Sequence, residues 1–250
     1  MTSDKNNSGF LEWNKNILLG AFKRMGPDLL WMIILDAIFY TASFYMAVSW
    51  MQRIQSRMAS FNLQGIDSLS SSQAQLLLAE SQSFYFLAVA SFMLLAAAII
   101  LLGGISRGII WARVSGRKIS PKLISKFCLL NIAWMGFWLI MIIAAIRLVN
   151  RESVFIFVMG ILAIAFYFTN TMYALFMRQG FRSVAGAFKL SISRIHLFML
   201  PYAAIFILLF AIGWLFSLLK FAYSGILLAA VMLSYAAIVR YYIFGLVLRI

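Results

Sequence analysis

A chain of 250 residues that is 64% hydrophobic and only 11% charged cannot clothe a water-soluble domain, because such domains carry about 25% charged residues. A formal net charge of +14 would suggest nucleic acid in a soluble protein. Here the basic residues fall in gaps between long apolar runs, so anionic lipid headgroups are the simpler counter-charge and nucleic acid is not expected.

The apolar runs show no dyad alternation, which predicts helices rather than a transmembrane barrel. The polar start, Met1 to Ser8, argues against a cleavable signal peptide. In the next segment Phe10, Trp13, Ile17, Leu18, Ala21 and Met25 recur at helical spacing, with Glu12, Lys15, Asn16 and Lys23 between them. This predicts an amphipathic helix lying in the membrane interface, within a cytoplasmic N-terminus of residues 1–28. Gly26, Pro27 and Asp28 break that helix and start the next, since proline suits a first turn and aspartate the positive end of a helix dipole.

Residues 29–250 read as one domain of six spans, at about 29–51, 84–105, 127–146, 154–176, 197–219 and 225–248. Each is near the roughly 20 residues needed to cross the hydrocarbon. The fold class expected is therefore all-α, a six-helix transmembrane bundle with an interfacial helix at its N-terminus. The first connection holds the Ser/Gln-rich run DSLSSSQAQ, where Ser70 and Gln73 resemble a capping box that restarts a helix. Basic segments follow spans two and four, and both read as holding a short interfacial helix. One carries Ile109, Ile110, Ala112 and Arg113; the other Phe181, Val184, Ala185, Phe188 and Lys189. That likeness is compatible with duplicated hairpins, although any cytoplasmic loop selects basic amphipathic sequence. A tight link near Lys220 to Ser224 joins spans five and six.

With the N-terminus inside, inner segments hold 15 basic residues and outer segments 5, and Arg240 lies within a span. This bias predicts a multi-pass protein of the cell membrane with both termini in the cytoplasm. A five-span arrangement with one re-entrant segment would break the alternation.

Ionisable groups inside lipid are functional candidates by default. Asp36 and Arg240 lie at matching depths and have opposite signs, which predicts an interhelical contact between spans one and six. Either it fixes packing, or it serves an ion or proton relay or an anion site; Arg240 could also snorkel to the interface. Asn131, Asn170, Thr169 and Thr171 complete an inner polar layer. Such a layer lines a cavity or supplies interhelical hydrogen bonds, worth about 0.6 kcal/mol each. Arg113, Arg117, Lys118, Lys122, Arg178, Arg182, Lys189 and Arg194 are the candidates for contact with headgroups or partner proteins.

Gly103, Gly104, Gly108, Gly136 and Gly160 permit close helix approach, with Gly104 to Gly108 read as a hinge. Trp31, Trp50, Trp111, Trp134 and Trp214 suit aromatic belts, whereas Trp138 is deeper and suits packing. The single cysteine, Cys128, excludes an intrachain disulfide, and with the single histidine, His196, it offers no metal centre. His196 reads as a loop residue near headgroups, and Cys128 as an inert thiol or a palmitoylation site. No phosphate loop, nucleophile elbow, paired carboxylates or HExxH is present, so neither catalysis nor a cofactor is expected.

The segments SRGIIWARVSGRKIS and RQGFRSVAGAFKLS carry a likeness to a known family. Through Gly116, Arg117 and Ser120, and through Gly180, Ala187 and Ser191, residues 84–250 resemble the membrane domain attached to some glycerophosphodiester phosphodiesterases and its stand-alone relatives. The active site of that family belongs to a soluble domain. The resemblance therefore implies six helices and adds no catalytic residue.

The sequence favours a non-enzymatic membrane subunit or scaffold that contacts anionic lipids and other membrane proteins or a second copy of itself. The alternative is a small-solute, ion or lipid transporter or channel using the inner polar layer. An intramembrane enzyme acting on lipids is a third reading.

Overall fold

An apolar chain must satisfy its backbone amides within its own helices, and every described element is helical. A computed structural model describes residues 4–59, 71–219 and 224–249. In chain order the elements are α1 (Asp4–Arg24), α2 (Asp28–Ala59), α3 (Ser71–Val114), α4 (Pro121–Leu148), α5 (Arg151–Gln179), α6 (Ser183–Ser193), α7 (Ile195–Leu219) and α8 (Ser224–Arg249). A 3₁₀ turn, Gly180–Arg182, links α5 to α6.

Among the described residues five helical stretches are long and apolar enough to cross a membrane: Asp28–Ala59, Ser71–Val114, Pro121–Leu148, Arg151–Ser193 and Gly225–Arg249. They mark a multi-pass membrane protein. Of the described residues in α7, which runs 25 residues from Ile195 to Leu219, the stretch Ile195–Ala204 is apolar but shorter than a crossing. Residues 60–70, Ser70 included, and Lys220 to Tyr223 of the last link lie outside the described residues.

Local chemistry sets the helix ends. Gly116 ends α3 at φ +66, the left-handed conformation glycine tolerates, while Arg117 N–H closes back on Ala112 C=O at 2.9 Å. Ser120 then caps α4, its hydroxyl accepting from Leu123 N–H at 3.3 Å, with Pro121 in the first turn. Gly180 ends α5 at φ +64.

α3 departs most from the sequence reading. It runs 44 residues without interruption, so Gly104 to Gly108 is no hinge and Ile109 to Arg113 form no separate interfacial helix. They are its last turns, with Ile110, Trp111 and Ala112 fully buried. The glycines are a packing face instead. A Cβ on Gly104 would come 3.0 Å from Cys128 Cα, and one on Gly108 3.1 Å from Ile124 Cδ1. A Cβ on Gly136 or Gly160 would meet nothing within 4 Å, so those two serve no close approach. The second basic segment does form a separate helix, the 11-residue α6. The two segments therefore fold differently. Trp111 and Trp134 are core residues rather than belt residues, as Trp134 Nε1 donates to Thr169 Oγ1 at 2.8 Å.

The large buried side chains gather at one end of the bundle. They are Met32 in α2, Trp111 in α3, Phe127 and Trp134 in α4, Met172 to Met177 in α5, Phe198 in α7 and Tyr241 to Val247 in α8. The opposite halves carry outward apolar side chains such as Phe44, Phe86 and Phe155. In a membrane protein that surface meets lipid rather than water.

α1 docks on the packed end. Tyr242 donates from its hydroxyl to Asn14 Oδ1 at 2.7 Å. Ile17 lies so close to Gly245 that a Cβ there would be 3.1 Å away. The apolar face read as lying in the interface is thus divided: Ile17 and Ala21, with Asn14, face the protein, while Leu18 points outward with Leu19 and Phe22. The side chains of Phe10 and Trp13 lie outside the described residues.

Candidate functional site

Three charged side chains from three helices meet where the packed end gives way to the open half. Asp36 projects from α2 and is fully buried; Arg240 projects from α8 and is 3% exposed. Arg240 Nη1 donates to Asp36 Oδ2 at 2.5 Å and Nη2 to Oδ1 at 3.2 Å. This two-pronged geometry is the strongest that arginine and carboxylate can make. Arg107, from α3, brings its Nε within 3.9 Å of Asp36 Oδ1. That distance is outside hydrogen-bond reach but well inside electrostatic range.

Arg107 is held mainly by α2. Its Nη2 donates to the Tyr40 hydroxyl at 2.7 Å. Its guanidinium carbon lies 5.6 Å from the ring centroids of both Phe39 and Tyr40, within cation–π range. Asp36, Phe39 and Tyr40 stand at helical spacings of three and four, so α2 presents them on one face. Arginine stays protonated in proteins. One carboxylate thus faces two guanidiniums, and one positive charge is left over.

That surplus charge opens onto two cavities. The first, about 300 Å³, lies between α5, α7 and α8 and is lined by Asn170, Pro201, Tyr202, Met232 and Arg240 among others. The second, about 430 Å³, lies between α3, α4 and α5 and is lined by Ile99, Asn131, Met135, Leu162, Thr169 and Tyr173 among others. Both share Tyr40, Arg107 and Phe166. Tyr40 is 47% exposed and Phe166 49%, so the shared region reaches the outer surface of the bundle.

The predicted polar layer divides between these walls. Asn131 Nδ2 donates to Ile100 C=O at 2.7 Å, and its Oδ1 accepts from the Tyr173 hydroxyl. Asn131 therefore ties α4 to α3 and α5 while lining the larger cavity. Thr169 also lines the larger cavity and donates to Ala165 C=O at 2.5 Å. Asn170 lines the smaller one and donates to the Tyr202 hydroxyl at 3.0 Å. Thr171 takes no part: it is fully buried away from both linings.

The eight basic candidates also divide. Arg113 pairs with Asp28 and lies 6.0 Å from the Trp31 ring centroid, so it joins α3 to α2 instead of standing free for a headgroup. Arg178 donates from Nη1 to Val247 C=O and ties α5 to α8. Arg117, Lys118, Lys122, Arg182, Lys189 and Arg194 are exposed.

The residue that sequence reasoning missed is Arg107, which it counted among the loop charges. The residues themselves hold the sign: from Leu94 to Ala112 Arg107 is the only charge, so the apolar run does not stop at Ile105. Tyr40, Tyr173 and Tyr202 were also overlooked, because a tyrosine in an apolar helix is unremarkable until its partner is known.

Compared with protein-family models, curated proteins and solved structures, the chain finds no match. The site's own chemistry is therefore what bears on its activity. The arrangement offers a cation that cannot be neutralised by losing a proton, set in a mainly apolar hollow. It can hold an anion that carries an apolar body.

Proposed function

We propose that this membrane protein binds an anionic amphiphile, a lipid or lipid-like solute, in the cavities around Arg107 and serves to handle or transport it. The observation that carries the reading is the surplus positive charge at a residue that lines both cavities. Arg107 is 16% exposed at its side chain and shares its one counter-ion with Arg240, so its charge adds no stability of its own. A scaffold that only needed its helices joined would do better with leucine at that position. The exposed Tyr40 and Phe166 supply a sideways entrance from lipid. Depth points the same way. Arg240 stands nine residues from Arg249, about 13 Å at 1.5 Å per residue, against a hydrocarbon core of about 30 Å. A headgroup held near there is far from its resting interface, which suits passage.

In this reading α7 is the fifth of six spans and both termini are cytoplasmic. Moving Arg107 from loop to span removes a single charge from the inner set and leaves the bias intact. The exposed Arg117, Lys118, Lys122, Arg182, Lys189 and Arg194 then face inner-leaflet headgroups. α1 lies on the membrane surface through Leu18, Leu19 and Phe22 while Ile17 and Ala21 grip α8. The likeness to the phosphodiesterase-associated membrane domain fits six spans and is proposed on the same footing. A cysteine placed at Lys118 in a Cys128→Ser background is expected to react with an impermeant maleimide only from the cytoplasmic side. Labelling in intact cells would reverse this topology.

The functional reading is tested by the lipids that stay with the protein. After purification in mild detergent, mass spectrometry should find anionic lipids enriched over the source membrane, and the enrichment lost in Arg107→Gln. Bound lipids that mirror the bulk membrane, unchanged in the variant, would refute it.

A further inference from the structure

We infer that the ligand is a monoanionic lipid with two acyl chains, its phosphodiester seated on Arg107 and Tyr40 and one chain in each cavity. This rests on the reading of Arg107 as an anion-binding residue and narrows it. The first ground is shape. Tyr40, Arg107 and Phe166 line both cavities, one of which extends toward Met232 between α5, α7 and α8 and the other toward Met135 between α3, α4 and α5. Two hollows with one cation in their common lining match a molecule whose charge lies where two apolar arms join. A single-chain amphiphile would fill one arm and leave the other without packing partners.

The second ground is charge. Asp36 cancels one guanidinium and leaves one positive charge. A phosphodiester, with one negative charge, neutralises the cluster; a phosphate monoester would overshoot and leave an unmatched buried anion. The third ground is donor geometry. Arginine's planar fork suits the oxygens of a phosphate. Arg107 gives Nη2 to Tyr40 and makes no hydrogen bond to Asp36 at 3.9 Å, so its fork is not consumed by the carboxylate as that of Arg240 is. Size is adequate: about 300 and 430 Å³ each lie within the range of ligand pockets.

The test uses the full chain in detergent with four probes: phosphatidylglycerol, its single-chain lyso form, phosphatidylcholine and inorganic phosphate. Met135→Trp fills the larger arm and Met232→Trp the smaller, with Leu162→Trp and Leu233→Trp as second variants should either of the first fail to fold. Wild type is expected to bind the two-chain anion at least about tenfold more tightly than the single-chain one. Filling either arm should cost two-chain binding at least about tenfold while leaving single-chain binding within about threefold, since the other arm stays open. Equal affinity for one and two chains in wild type, or loss from filling only one arm, would overturn the two-chain seat while Arg107-dependent anion binding stood. Phosphate binding as tightly as the lipids would make this a free-anion site and overturn the seat too. If neither anionic lipid outcompetes phosphatidylcholine, the underlying reading falls with it.

Discussion

Asp36→Ala is expected to lower the stability of the protein by about 3–5 kcal/mol, the range found when one partner of a buried ion pair is removed. The carboxylate is fully enclosed and, among the described residues, is the only anionic side chain against Arg240 and Arg107. Without it, two guanidiniums that cannot shed their charge are left repelling each other between α2, α3 and α8. Arg240→Ala should cost less than Asp36→Ala, because Asp36 then still faces Arg107. Replacing both Asp36 and Arg240 by leucine should cost less than the sum of the single changes, since the pair's mutual dependence disappears with it. The nearby ion pair of Arg113 with Asp28 provides the contrast: its side chains are 33% and 44% exposed. Arg113→Gln should therefore change stability by no more than about 1 kcal/mol. Unfolding of the purified variants in mixed detergent micelles measures all of these. Equal, small losses for Asp36→Ala and Arg113→Gln would mean that the buried cluster does not hold the helices together.

Arg107→Gln behaves in the opposite manner. It should leave stability within about 1 kcal/mol of wild type, because the amide can still reach for the Tyr40 hydroxyl and the surplus charge is gone. Affinity for an anionic amphiphile should fall about 10- to 100-fold, the worth of one charge-assisted hydrogen bond. Arg107→Lys should recover part of that affinity, since it restores the charge without the planar fork. A purely structural Arg107 would produce the reverse: a less stable protein whose ligand binding is unaltered.

The contrast between Asp36 and Arg107 shows what the sequence can and cannot reveal. The Asp36–Arg240 contact was legible because opposite charges at equal depth in apolar runs have few other partners. Arg107 was hidden by the habit of closing a span after about 20 residues, whereas α3 continues for 44. The same early stop turned Trp111 into a supposed belt residue and the glycines into a supposed hinge. Helix rotation was harder still to read. A helix that is apolar all round has no stripe to announce its inner face. Depth could therefore group Thr169, Asn170 and Thr171, but only packing shows that two line cavities and the third does not. On α1 the protein-facing stripe includes the polar Asn14, because the Tyr242 hydroxyl meets it there. Apolar spacing alone gives no reason to choose that face over one containing Leu18.

On the proposed reading, an unmatched positive charge within the membrane makes this protein a receptor for anions with apolar bodies. The most direct measurement is the ratio of its affinities for a phosphatidylglycerol and a phosphatidylcholine of equal chain length, in wild type and in Arg107→Gln. The ratio should favour the anion by at least about tenfold in wild type and shrink to near unity in the variant. A ratio that is the same in both proteins would show that Arg107 does not select the ligand's charge.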